Sequence, residues 1–158
     1  MKTDDLGQTY KYAANDKITP HMLTLHELGE LIRRMGIQLG FRPVAEHQVS
    51  SKQTKSKKRY IDWVWKDAKT NKVIAAFEIE GANCGMPAVN KDSNSLCAAK
   101  CKFKYVLLYQ ARKDKRLTLR DDIKKEFKKL TSKRIKLLLD TDLMDGGIDK
   151  FMEPFQTA

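Results

Sequence analysis

The stretch at 60–81, YIDWVWKDAKTNKVIAAFEIEG, constrains the fold more than any other part of the chain. Two runs rich in β-branched and aromatic residues flank a polar segment containing Thr70-Asn71, the pattern of a β-hairpin. With the turn centred on Thr70, Ile61 faces Ile79, Trp63 faces Phe77 and Trp65 faces Ala75. Strand side chains alternate, so all six point to one side. That side is fully apolar and must pack on a helix. A slip of one residue would scramble the pattern, which gives the register independent support.

Helices and further strands surround this hairpin. From Thr24, the residues Leu25, Leu28, Ile32, Met35 and Leu39 recur at helical spacing, and Gly40 is the expected stop. A first strand is expected over 44–49, followed by a polar basic loop over 50–59. After the hairpin, 82–90 reads as irregular because Gly85 and Pro87 interrupt it. A helix is expected over 91–102 and a strong strand over 105–111. An amphipathic helix follows over 117–130, carrying Leu119, Ile123, Phe127 and Leu130 on one face. A last strand is expected over 134–140, then a short helix or turn over 144–152. This order predicts an α/β fold, a central mixed sheet flanked by helices. A single domain over 1–158 is expected, with a core over about 22–140 and a polar arm over 1–20.

Hydrophobic residues make up 41% of the 158, enough for a real core. The 31 Lys and Arg exceed the 20 Asp and Glu, leaving a net charge of +11 that favours polyanionic partners, nucleic acid first. The sequence contains no apolar run of membrane-spanning length and no signal-peptide pattern, so cytoplasmic residence is expected. Three cysteines, Cys84, Cys97 and Cys101, fit reduced thiols. A zinc site formed by Cys97 and Cys101 with Cys84 or His47 is the alternative to small core residues.

The second face of the hairpin carries the chemistry. The register sets Asp62 opposite Glu78, with Glu80 two residues further along the same face. Opposed side chains in a sheet have Cβ atoms about 4.5–5.5 Å apart, and like charges there repel. Protonation of one carboxylate or a bound divalent cation relieves such repulsion. Carboxylates that leave room for water suit Mg²⁺. The competing reading is a different register, or neutralisation by Lys66, Lys91, Lys100 or Lys102. A metal site on a basic chain suggests metal-assisted hydrolysis of a phosphodiester.

These residues resemble the PD-(D/E)xK, or restriction-endonuclease-like, nucleases. Asp62 matches the first acid of that pattern, and Glu78-Ile79-Glu80 matches its acidic triplet in an E-x-E form. The order of elements over 24–111 looks like the family's αβββαβ core. Ile61 stands where the family often has Pro, and Glu80 stands where Lys is usual. The resemblance implies a metal-dependent endonuclease acting on DNA, double-stranded or branched, with Mg²⁺ or Mn²⁺ as cofactor and a homodimer as one assembly. It implies Asp62, Glu78 and the carbonyl of Ile79 as metal ligands, and Glu80 as the group that orients or deprotonates water. Lys91 or Lys100 would stand in for the usual Lys. The family also has a glutamate on its first helix. Here the candidates are Glu27, preferred because it flanks the apolar stripe, and Glu30. Lys52, Lys55, Lys57, Lys58 and Arg59 lead into the strand carrying Asp62, where they would grip a phosphate backbone. A non-catalytic nucleic-acid-binding module, or a subunit of a larger nuclease, is the alternative function.

Overall fold

In the computed structural model, helix α1 (Leu25–Gln38) precedes three strands that run antiparallel in succession, β1 (Arg42–Val49), β2 (Arg59–Lys66) and β3 (Val73–Gly81). Helix α2 (Met86–Ala98) carries the chain across a face of the sheet, so that β4 (Phe103–Tyr109) lies parallel to β3. Strand β5 (Ile135–Leu139) lies parallel to β4 and runs into a 3₁₀ turn (Asp140–Leu143) and helix α3 (Gly147–Gln156). The structure describes residues 25–49, 59–81, 86–109, 133–143 and 146–156. Sheet order follows chain order, β1 to β5. The architecture is α/β with a mixed sheet between helices.

Alternation along the strands divides the core in two. One face joins Trp65, Phe77, Tyr105 and Leu107 to Leu28, Ile32 and Met35 of α1 and Phe155 of α3. The other joins Val64, Ala76, Val106 and Leu108 to Val89 and Leu96 of α2. Each large apolar side chain fully buried this way contributes about 1.5–3 kcal/mol relative to exposure. Trp65 anchors the first face, 4.6 Å from Phe77 and 5.1 Å from Phe155 between ring centroids. Its indole N–H donates to the Ile32 carbonyl at 3.0 Å. A Cβ on Gly36 would stand 2.5 Å from that nitrogen, so glycine is required for this close approach.

The hairpin register is as expected through Trp63–Phe77, Val64–Ala76 and Trp65–Ala75. The Asp67 carboxylate closes the turn by accepting the N–H groups of Lys69 and Thr70, each at 2.8 Å. Ile61 departs from expectation, because it packs in the second core with Val64 rather than beside Trp63. Val44 and Val49 of β1 share that core, so the alternation resets in both strands. Between them, the β1–β2 pairing skips Glu46, whose φ of 50° is left-handed. Asp62 is skipped with it and the pairing resumes in the same register, so both strands reset together at this point.

Helix boundaries also shift. Helix α2 begins at Met86 rather than 91, because Pro87 sits in its first turn, where a missing N–H breaks no helical bond. It ends at Ala98 rather than 102, just before Lys100 with φ 48°. The expected strand 105–111 is β4, two residues earlier. The strand expected over 134–140 is β5, and the element expected over 144–152 is α3. Gly40 stops α1 as expected. It has φ 84°, its N–H donates to the Ile37 carbonyl, and the Phe41 N–H donates to Gly36. The arm over 1–20, the basic residues Lys52, Lys55, Lys57 and Lys58, and the helix expected over 117–130 lie outside the described residues. Among the described residues no helix is long and apolar enough to cross a membrane.

Candidate metal centre

The backbone ladder between β2 and β3 runs from Lys66–Val73 to Trp63–Phe77. One residue further out, side chains take over its hydrogen bonds. The Asp62 N–H donates to Glu78 Oε1 at 2.9 Å, and the Ile79 N–H donates to Asp62 Oδ2 at 2.8 Å. Each carboxylate therefore occupies a position that a backbone carbonyl of the other strand would fill. In a strand, the N–H and C=O of one residue point to the same edge, so the Ile79 carbonyl also faces this gap.

Glu78 and Glu80 stand at the C-terminal end of β3, beside Val106 and Leu108 of the parallel strand β4. Ligands of open α/β sheets characteristically bind at this end of parallel strands. Helix α2 adds a third acid from above. Carboxylate oxygens of Glu78, Glu80 and Asp92 all lie within 4.8 Å of one another. Asp92 was not anticipated from the sequence. The stretch Asn90-Lys91-Asp92-Ser93-Asn94-Ser95 is polar throughout, yet Asp92, Ser93 and Ser95 are buried. Only the polar residues along α2, a helix that must nonetheless cover a sheet, hinted at this.

The acids are crowded and poorly hydrated. Glu78 is 5% exposed and Asp92 is 1% exposed. Burial pushes Glu78 up to about 7, and the charges of Asp62 and Glu80 push the same way. Asp92 rises further, through burial and then through its contacts with Glu78 and Glu80. Asp62 rises by burial, held back by the Ile79 N–H that it accepts. Without a cation, this cluster must keep a proton between neighbouring carboxyl groups. Among the described residues no Lys or Arg forms an ion pair with any of the four acids, although the charge of Lys91 acts on Asp62.

A cavity of about 610 Å³ opens over the site. Its wall includes Asp62, Glu78, Glu80, Asp92, Lys91 and the backbone-bonded Ile79. Lys91 is exposed, and its charge draws the Asp62 carboxyl downward. Lys100 lies beyond the far end of α2 and does not line the cavity. From α1 it is Glu30, not Glu27, that reaches the wall, together with His26 and Gly29. A Cβ on Gly29 would stand 2.9 Å from Trp63 Nε1, and this close approach sets the His26–Glu30 face of the helix against β2. Glu30 is held there by Arg33, whose Nε and Nη2 lie 3.1 and 3.0 Å from Oε2. Tyr60 lines the cavity while 51% exposed. Arg59 is half-buried at the start of β2, and its Nε and Nη1 lack hydrogen-bond partners among the described residues.

The cysteine alternative finds no support among the described residues. Cys97 and Cys101 pack against the second core, and Cys101 donates to the Phe103 carbonyl. Burial pushes the Cys101 thiol up to about 11, away from the thiolate that zinc requires. Cys84 lies outside the described residues.

Compared with known proteins, the chain matches no family model, no curated protein and no solved structure.

Proposed function

We propose that this chain hydrolyses phosphodiester bonds in DNA with a divalent cation, Mg²⁺ or Mn²⁺. The observation that carries the reading is the set of acids Asp62, Glu78, Glu80 and Asp92 lining one open cavity, with no ion-paired basic partner among the described residues. Hard oxygen donors of this kind, with room for water, fit Mg²⁺ or Mn²⁺. The order of helix, three antiparallel strands, helix and parallel strand also supports the αβββαβ nuclease reading. The net charge of +11 supports a polyanionic substrate.

Asp62, Glu78 and the carbonyl of Ile79 would hold the cation, which supplies charge neutralisation at the scissile phosphate and a more acidic water. Glu80, half-buried and facing the cavity, orients or deprotonates that water. Lys91 takes the place of the lysine that the triplet lacks, because it lines the same cavity. Glu30 provides the carboxylate of the first helix. Tyr60 offers an exposed ring to an unpaired base at the cavity mouth.

Supercoiled plasmid, single-stranded DNA and a branched junction, each incubated with Mg²⁺, Mn²⁺ or EDTA, test the reading. Cutting that requires the cation is expected, and the preferred substrate defines the role. A second reading, a nucleic-acid-binding module without catalysis, is favoured by one feature, Glu80 at the position where the resemblance has lysine. It predicts metal-independent binding and no cutting of any substrate.

A further inference from the structure

We infer that Asp92 of α2 is a direct ligand of a divalent cation, forming with Glu78 and Glu80 a three-carboxylate site that ties α2 to the end of β3. The inference deepens the proposed function and shares its cavity. It goes beyond the strand acids of the resemblance, which include no residue of α2.

Two observations carry it. The first is convergence. One oxygen from each of Glu78, Glu80 and Asp92 lies within 4.8 Å of the others, the spacing at which a single ion can touch all three. The second is that Asp92 is 1% exposed and lines the cavity, yet among the described residues its Oδ2 meets no N–H donor, and the polar groups nearest its carboxyl are the acids Glu78 and Glu80. A buried carboxylate oxygen without a donor is costly, and no described residue offers it an N–H or an ion pair. Asp62 is arranged differently, because its Oδ2 already accepts the Ile79 N–H. Three carboxylates in one place suit a hard cation that prefers oxygen donors, such as Mg²⁺, Mn²⁺ or Ca²⁺.

The test is titration of the whole chain with Mn²⁺ alone, without DNA, following the loss of the free Mn²⁺ signal by electron paramagnetic resonance. Wild type is expected to bind Mn²⁺. Asp92→Asn, which keeps the shape of the side chain, should weaken binding about tenfold or more. Glu80→Gln, at a half-buried position whose change leaves the core intact, should do the same and decides the matter if Asp92→Asn fails to fold. Glu46→Gln is the control, an acid of the same cavity outside the group, and should leave affinity unchanged. Wild-type affinity in both Asp92→Asn and Glu80→Gln overturns the inference. So does an equal loss in Glu46→Gln, which would reduce the site to a general negative field, and so does a wild type that binds no Mn²⁺. Metal-dependent DNA cutting with unchanged Mn²⁺ binding in Asp92→Asn would sink this inference and leave the nuclease reading standing. Lost Mn²⁺ binding in the variants of a protein that cuts no DNA would do the reverse.

Discussion

Asp62 and Glu78 are joined side chain to backbone rather than side chain to side chain. The Glu78 carboxylate accepts the Asp62 N–H at 2.9 Å, while the Asp62 carboxylate accepts the N–H of the residue after Glu78. Two acids that would repel across a regular ladder are thus each held by a donor, and both line the cavity. Removing Glu78 leaves the Asp62 N–H without its acceptor. Glu78→Ala is therefore expected to lower stability by about 1–3 kcal/mol, measured by urea denaturation. Stability unchanged within error would show that this hydrogen bond does not hold the strands.

Stability of the metal-free chain should fall as pH rises. Glu78 has an ordinary value of 4.5 and is held at about 7 in the folded chain. An acid raised on folding takes up protons, so its contribution is complete below 4.5 and is lost as pH climbs through about 7. Asp92, raised in the same direction, extends the decline to higher pH. Urea midpoints in EDTA should drop across this window, and Asp92→Asn should flatten the slope. A midpoint rising with pH, with the slope of Asp92→Asn unchanged, would contradict the account.

Glu80→Gln should lower the cleavage rate about 10²–10⁴-fold at saturating Mn²⁺, the range for loss of a general base. The KM for DNA should stay close to wild type, because Glu80 is assigned to the cation and its water and not to the substrate. A raised KM with kcat unchanged would place Glu80 in DNA binding instead.

Gly36→Ala should destabilise the fold by about 1–3 kcal/mol through overpacking against the Trp65 indole. Denaturation followed by tryptophan fluorescence checks this. A neutral effect would mean that α1 can lift from β2 without cost.

Much of this was legible in the sequence, and the exceptions have physical causes. The register from Trp63 to Phe77 could be read because one apolar face demands a single alignment. The placement of Ile61 could not, because the left-handed Glu46 of the neighbouring strand resets the alternation. Asp92 was hidden because its burial depends on how α2 lies across the sheet, and periodicity does not report that. The choice of Glu30 over Glu27 turned on Gly29, whose missing side chain lets that face of α1 approach Trp63. The start of α2 was missed because Pro87 was read as a breaker, although a first turn accepts proline.

Lys57→Ala combined with Lys58→Ala should reduce the slope of log K against log salt for duplex binding. Each lost phosphate contact is worth about 0.9 of slope. An unchanged slope would remove these lysines from the interface.

The most direct measurement compares wild type with Asp62→Ala for cutting of plasmid and branched DNA in Mg²⁺ and in EDTA, with binding followed in parallel. The account predicts that wild type cuts only with the cation, and that Asp62→Ala binds DNA but does not cut. Cutting by Asp62→Ala at the wild-type rate would contradict it.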